Sequence, residues 1–327
     1  MALPGSGQIS LSDFNTELGN AAGTQISLNS SDVRALLGTA DGATASFSDY
    51  YGASSVVAIA LTISSNTNNY NIFSNKGGTY VAGKSSVTLT INSGVTVGST
   101  STGTYALDTG TGWASGDTIT IVNNGTVAGK GGGGGDGASA RTNSSNNFTL
   151  EAAATGGSSG GNAFRSQFAT TITNNGTFAG GGGGGGGNNA SKIYDSKLNN
   201  SNVSGGGGGG GGAGTNGGAG GTGGRAKNYV QAGSFTSTNF GAANGSTGGA
   251  TTGGAGGFDV ISPNGNSLTT AGGAGGGLGS AGAGGVGTQV LRTSFGSVGT
   301  GGAAGNYAVG NSNITWSTTG TRLGGVS

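Results

Sequence analysis

Three stretches of the chain alternate apolar and polar residues with a period of two. They are Val87-Thr88-Leu89-Thr90-Ile91, Thr118-Ile119-Thr120-Ile121-Val122 and Thr171-Ile172-Thr173. Because successive side chains of a strand point to opposite faces, this pattern predicts half-buried strands. The most apolar run, Val56–Ile63, predicts another strand, and Asn313–Trp316 returns to strand-like residues.

A turn sequence follows each alternating stretch: Asn92-Ser93-Gly94, Asn123-Asn124-Gly125 or Asn174-Asn175-Gly176. Asn-Gly supplies the positive φ angles of a tight turn, so we expect tight turns at these positions. The last two belong to an internal repeat, Asn-Asn-Gly-Thr-(Val/Phe)-Ala-Gly, whose copies begin 51 residues apart. Both copies lead directly into polyglycine.

The first 54 residues carry a different repeat. Gln8–Asp13 recurs as Gln25–Ser30, with a weaker copy at Ala45–Asp49. Each copy offers Ser or Asp as a helix N-cap, and the first two precede apolar-periodic segments that end at Gly19 and Gly38. These start and stop signals predict a small attachment module with short helices. The alternative is a poorly ordered leader.

Glycine dominates the second half of the chain. Gly180–Gly187 and Gly205–Gly212 are runs of eight, and shorter or interrupted runs lie at Gly131–Gly135, Gly253–Gly257 and Gly272–Gly287. Such segments are ordinarily flexible linkers. An extended left-handed helix with three residues per turn is an ordered alternative, because neighbouring helices can satisfy its outward-pointing N–H and C=O groups. The strand repeat that leads into the runs favours this polyglycine II arrangement.

Substitutions at the borders of the runs also follow a period of three. One phase carries Ala213, Asn216, Ala219, Thr222 and Arg225, with Thr215 as the exception, and another carries Ala271, Ala274, Ser280, Ala283 and Val286, with Leu278 and Ala281 as exceptions. A helix at the centre of a bundle must be glycine on all three phases, so we predict all-glycine runs at the centre, substituted runs at the edge and loops at both ends of the layer. The predicted scaffold positions are Gly180, Gly187, Gly205, Gly212 and Gly224.

The predicted fold is therefore mostly non-α. It comprises a short N-terminal α+β attachment module (1–54), a β-strand segment (55–129), a layered bundle of polyglycine II helices with long tip loops (130–310) and a C-terminal strand segment (311–327).

The amino-acid composition excludes several classes of functional site. The 327 residues include 81 Gly, carry a formal net charge of +1 and lack both Cys and His. Disulfides, Cys-based metal sites and Ser-His-Asp catalysis are excluded, and no cofactor or metal is expected. Charge is too sparse for a nucleic-acid surface, and no apolar stretch approaches the ~20 residues that span a membrane. The start lacks the regions of a signal peptide, so we expect synthesis in a cytoplasm and use within an assembly.

The glycine runs and their intervening loops, over roughly the last 200 residues, resemble the receptor-binding adhesins at the tips of bacteriophage tail fibres. The strand-turn motif Asn123–Gly132 and the end Gly310–Trp316 are similar to glycine-rich phage tail proteins, and the repeat at Gln8–Asp13 to leaders of virion proteins. The resemblance implies polyglycine helices stacked in layers, with loops at one end that read the host surface. It implies a virion location, other tail or fibre proteins as partners of residues 1–54, and a host receptor that is an outer-membrane protein or a glycan.

The loops between glycine runs supply the candidate binding residues. Their aromatic residues, which include Phe164, either cover the end of the bundle or face a ligand. Residues 130–300 contain eight basic and four acidic residues, which suits an anionic cell surface, although these charges also serve solubility. The predicted receptor-binding residues are Lys192, Tyr194, Lys197, Arg225, Lys227, Asn228, Tyr229, Phe235, Phe240 and Phe258.

Two other roles are weighed against an adhesin. An enzyme that cleaves polysaccharide needs paired carboxylates, and Asp136, Glu151, Asp195 and Asp259 are dispersed in the sequence, so no catalytic residue is predicted. A structural fibre, capsid decoration or self-assembling filament without receptor binding remains the main alternative. An ice-binding protein would need a longer, more regular Thr/Ala face than the sequence offers.

Overall fold

The computed structural model describes residues 3–37, 44–143, 145, 147–195, 200–227, 240–261, 268–287 and 293–327. The fold is rich in strands and mostly non-helical. Among these residues, three short α-helices occur: α1 (Leu11–Leu18), α2 (Ser31–Ala35) and α3 (Ile72–Asn75). The strands are β1 (Val57–Ile63), β2 (Thr67–Asn68), β3 (Tyr70–Asn71), β4 (Ser85–Ile91), β5 (Thr96–Gly98), β6 (Leu107–Asp108), β7 (Thr118–Asn123), β8 (Thr126–Ala128), β9 (Ser139–Thr142), β10 (Phe148–Ala152), β11 (Phe164–Arg165), β12 (Thr170–Asn174), β13 (Thr177–Ala179), β14 (Ala190–Asp195), β15 (Asn200–Ser204), β16 (Arg225–Lys227), β17 (Phe240–Gly241), β18 (Phe258–Ile261), β19 (Leu268–Ala271), β20 (Val286–Gly287), β21 (Thr293–Phe295), β22 (Asn306–Val309), β23 (Ile314–Thr318), β24 (Thr321–Leu323) and β25 (Gly325–Val326).

Copies of the N-terminal repeat form the N-termini of helical segments. Ser10 is the N-cap of α1 and forms a capping box with Asp13, while Gly19 ends the helix in the left-handed region at φ 71°. The third copy forms a second capping box, between Ser46 and Asp49, at the start of a 3₁₀ turn. These elements pack around a separate small core of Leu3, Phe14, Val33 and Tyr50. Gly38, the predicted end of the second helix, lies outside the described residues.

Three five-stranded parallel sheets form a solenoid. Their strand orders are β1-β4-β7-β12-β23, β2-β5-β8-β13-β24 and β3-β6-β11-β22-β25. Each sheet takes one strand from each of five successive passes of the chain, so the passes stack as five turns. The alternating stretches predicted as strands lie side by side, with Leu89 paired to Ile121 and Ile121 to Ile172. Alternate residues of these strands are buried and form the solenoid core.

The expected tight turns with positive φ occur at Gly94 (φ 76°) but not at Gly125 or Gly176. At all three positions the flanking strands belong to different sheets, so the chain rounds a corner of the solenoid instead of reversing. The corners at Gly125 and Gly176 are made without a positive φ. Glycine is needed there for close approach. A Cβ at Gly125 would lie 2.3 Å from the Val95 oxygen, and one at Gly176 would lie 2.0 Å from the Gly125 oxygen.

The glycine-rich region is inserted into two turns of the solenoid. The chain leaves after β8 and returns at β11, then leaves after β13 and returns at β22. Between these points it forms ten glycine segments that lie side by side and exchange backbone hydrogen bonds. They span residues 130–138, 155–161, 180–188, 205–213, 218–224, 242–249, 253–257, 272–277, 280–286 and 299–305.

The connections differ between the two ends of the segments. Longer connections at one end of the segments span 139–154, 189–204, 225–241, 258–271 and 287–298 and carry strands β9, β10 and β14 to β21. We call this end the far end. At the solenoid end the segments join through short turns at 214–217, 250–252 and 278–279. Connections therefore lie at both ends of the segments, but those at the solenoid end are short turns, one of which contacts the solenoid directly. Thr215 Oγ1, for example, donates a hydrogen bond to the Ala128 oxygen at 3.3 Å.

The hydrogen bonds between segments repeat every three residues. Gly182, Gly183 and Gly184 donate to carbonyls of three different segments, at 2.8, 3.0 and 2.9 Å, and the next three glycines donate to the same three segments in the same order. Through donated and accepted bonds, segment 180–188 contacts six neighbours, and so does segment 205–213. The two all-glycine runs are therefore enclosed on every side by backbone.

Substituted phases face solvent at the edge of the bundle. Ala219, Thr222 and Arg225 are exposed, and the same holds for Ala274 and Val286. Ala213 is an exception, because it is fully buried.

Candidate functional site

The far end gathers most of the predicted binding residues onto short strands. Lys192 and Tyr194 lie on β14, Arg225 and Lys227 on β16, and Phe240 on β17. Phe258 begins β18 and is 58% exposed. The remaining four candidates, Lys197, Asn228, Tyr229 and Phe235, lie outside the described residues.

Three small sheets carry these strands. Their orders are β10-β9-β16-β17, β15-β14-β21 and β18-β19-β20. Strand β15 contacts both β9 and β16, so the sheet with Lys192 adjoins the sheet with Arg225. The Phe258 carbonyl accepts a hydrogen bond from Ala243 N at 3.1 Å, which places the third sheet beside the segment that follows β17. The fold thus brings together residues that are up to 66 positions apart in sequence, from Lys192 to Phe258.

Some of the aromatic residues predicted to lie in loops are packed against other residues, and others are exposed to solvent. Phe164 is a fully buried core residue of the solenoid on β11, so its placement in a loop is wrong. The reason is that the chain re-enters the solenoid at this point. Phe148 packs with Leu150 against Ala138, Ala140 and Ala190, and covers part of the end of the bundle. Phe258, by contrast, presents its ring to solvent.

All five predicted scaffold glycines lie in close backbone contact. A Cβ would come within 1.9 Å of a carbonyl oxygen at Gly180, Gly187 and Gly224, within 2.0 Å at Gly212 and within 2.3 Å at Gly205. Real Cβ contacts do not approach these distances, so a side chain at any of the five would displace a neighbouring segment.

At the edge of the bundle, side-chain hydrogen bonds join neighbouring glycine segments close to the far end. Asp136 Oδ1 accepts hydrogen bonds from Thr222 N at 2.8 Å and from Thr222 Oγ1 at 2.7 Å. Asn244 Oδ1 accepts from Gly223 N at 2.9 Å. The sequence offers little sign of these contacts, because the partners are up to 86 residues apart and belong to no shared motif.

No cluster of His, Cys, Asp or Glu with the arrangement of a metal site occurs in the described part of the chain. Among the same residues, no helix is long and apolar enough to cross a membrane.

A solved structure of the gp37-gp38 adhesin tip complex of the bacteriophage S16 long tail fibre contains a chain with the same fold. The TM-score is 0.52 and the identity 21%, and the alignment covers 97% of each chain. The fold is therefore that of a phage tail-fibre adhesin tip. The family model described as phage tail fibre adhesin Gp38 matches residues 58–327, and the chain belongs to this family. No curated protein matches the chain. The family makes this chain a component of a virion tail.

Proposed function

We propose that this chain is a non-enzymatic virion adhesin that binds a host cell-surface receptor, an outer-membrane protein or a glycan, through the far end of its glycine segments. The observation that carries the proposal is the grouping of the longer connections, with Lys192, Arg225 and Phe258, at the end away from the solenoid. Membership of the adhesin family supports the same function.

The glycine segments are proposed to be polyglycine II helices that serve as the scaffold. That helix has three residues per turn and no internal hydrogen bonds. The three-residue period of the hydrogen bonds and the six neighbours of each all-glycine run support this assignment. Because each net hydrogen bond stabilises by only about 0.5–1.5 kcal/mol, the bundle depends on many such bonds forming together.

Residues 1–54 are proposed to attach the adhesin to another tail-fibre protein after synthesis in the host cytoplasm. This region has its own small core, and the family model begins beyond it, at residue 58. The solved structure with the same fold is a complex of two fibre proteins, gp37 and gp38.

The binding proposal is tested by exchanging the connections 189–204 and 225–241 for those of another family member. We expect the isolated protein to keep its unfolding temperature and to bind the host strains of the donor adhesin instead of its own. The matched control exchanges the turn at 250–252, at the solenoid end, and should leave cell binding unchanged. Unchanged host binding after the far-end exchange would favour the alternative, a structural fibre, capsid decoration or filament protein.

A further inference from the structure

A cleft of about 650 Å³ lies on the flank of the bundle, where four glycine segments meet the sheet β10-β9-β16-β17. This volume is within the range of about 300–1,000 Å³ that is typical of ligand pockets. The polar side chains that line it are Asp136, Ser139, Thr155, Thr222, Arg225 and Asn244.

Backbone N–H groups hold four of these side chains in position. Thr155 Oγ1 accepts from Asp136 N at 2.7 Å, and Ser139 Oγ accepts from Arg225 N at 2.9 Å. Asp136 Oδ1 accepts from Thr222 N, and Asn244 Oδ1 accepts from Gly223 N. The positions of these groups are therefore set before any ligand arrives, which lowers the ordering cost of binding.

The hydrogen-bonding capacity that remains is rich in donors. The hydroxyl groups of Ser139 and Thr155 and the amide NH₂ of Asn244 can still donate, and Asp136 Oδ2 can still accept. Arg225 is exposed and takes part in none of the ion pairs formed among the described residues. Its guanidinium adds a fork of donors that suits a carboxylate.

We propose that this cleft binds an acidic saccharide, a sugar ring that carries a carboxylate. The carboxylate pairs with Arg225, one ring hydroxyl donates to Asp136 Oδ2, and ring oxygens accept from the Ser139, Thr155 and Asn244 donors. The methyl groups of Ala152, Ala153 and Ala242 complete the lining and can cover the C–H face of a sugar. No aromatic residue is among those that line the cleft, so a stacked nucleobase finds no support there. The inference deepens the proposed function, on which it rests, by naming a ligand class on the host surface.

The test uses saturation-transfer NMR and calorimetry on the full chain, with methyl glucuronide and methyl galacturonide as probes and the methyl glucoside and galactoside as their neutral counterparts. We expect saturable binding of at least one uronide, at least about tenfold tighter than that of its neutral counterpart, because charge-assisted hydrogen bonds are about twice as strong as neutral ones. Arg225→Gln should abolish this preference.

Arg141→Gln is the matched control, because Arg141 lies on β9 of the same sheet, outside the cleft, and pairs with Glu151 at 3.6 Å. It should retain the preference for the uronide. Absence of saturable binding of either uronide overturns the proposal, and so does Arg225→Gln protein that binds like wild type. Host-cell binding is measured on the same proteins. If the protein binds cells but no uronide, the saccharide proposal is wrong and the adhesin function stands. If it binds a uronide but no cells, the adhesin function is wrong and the saccharide site stands.

Discussion

None of the eight glycines in Gly180–Gly187 has room for a side chain. A Cβ at Gly182 would lie 2.1 Å from the Gly276 oxygen, and one at Gly184 would lie 1.9 Å from the Gly133 oxygen. The colliding atoms are backbone of neighbouring segments, which cannot rotate away as a side chain can. The requirement for glycine in this run therefore comes from close approach of segments and not from positive φ.

Gly184→Ala should destabilise the protein by about 3 kcal/mol or more, because overpacking against fixed backbone forces segments apart. The free energy of unfolding from urea titration measures this. Gly133→Ala is the matched control within the same bundle, since its Cβ would meet nothing closer than 3.8 Å. Its cost should stay below about 1 kcal/mol. Equal costs for the two variants would contradict the packing described for the run.

The capping boxes of the N-terminal repeat should respond to pH. Hydrogen bonds from the Ser10 backbone N–H and then from its hydroxyl lower the pKa of Asp13 below its ordinary 3.8, and Ser46 does the same for Asp49. A carboxylate whose pKa is lower in the folded state stabilises that state above its unfolded pKa, and this contribution is lost as pH falls through the folded pKa. The loss should therefore begin near pH 4 and be completed below it.

NMR titration of the Ser10 and Ser46 amides measures the effect. Both amide shifts should move with midpoints below 3.8, and Asp13→Asn and Asp49→Asn should each abolish the corresponding titration. Asp32→Asn is the control, because the Ser30 cap of α2 makes no side-chain hydrogen bond. Midpoints at or above 3.8 would show that the boxes do not form.

At the scale of elements, the internal repeat stacks on itself in adjacent turns of the solenoid. Asn123 Nδ2 donates to Asn174 Oδ1 at 2.9 Å, and Asn174 Nδ2 donates to the Thr319 oxygen at 2.8 Å. Both asparagines are buried. The second asparagine of each copy forms a similar but exposed bond, from Asn175 to Asn124 at 2.9 Å.

Asn174→Ala should cost about 2–3 kcal/mol, because it leaves buried polar partners unsatisfied in two neighbouring turns. Asn175→Ala, its exposed neighbour in the same motif, should cost less than about 1 kcal/mol. Urea unfolding of the two variants compares them directly. A larger loss for the exposed position would contradict the role given to the inner asparagine.

Strand positions followed from the sequence, but their pairing did not. The Thr-Ile alternation located β4, β7 and β12, and Asn313–Trp316 located the start of β23. The parallel pairing was hidden because β12 meets β23 across more than a hundred residues of inserted glycine segments. The segments 155–161, 242–249 and 299–305 were missed for a different reason. Ser, Thr and Ala interrupt their glycines, as an edge position permits.

For the whole molecule, the solenoid contacts one end of the glycine segments, and the longer connections lie at the other end. The sequence identified Lys192, Arg225 and Phe258 as candidates, and the fold places their strands at one end. It could not identify Asp136, Thr155 or Asn244, because their significance depends on contacts between segments that are distant in sequence.

Hydrogen–deuterium exchange of the full chain, with and without host outer-membrane vesicles, tests most directly which surface binds. Vesicles from a non-host strain provide the matched control. The account predicts protection by host vesicles alone, within the connections 189–204 and 225–241, and no change in the solenoid strands between residues 57 and 128. Protection confined to the solenoid, or equal protection by both kinds of vesicle, would contradict it.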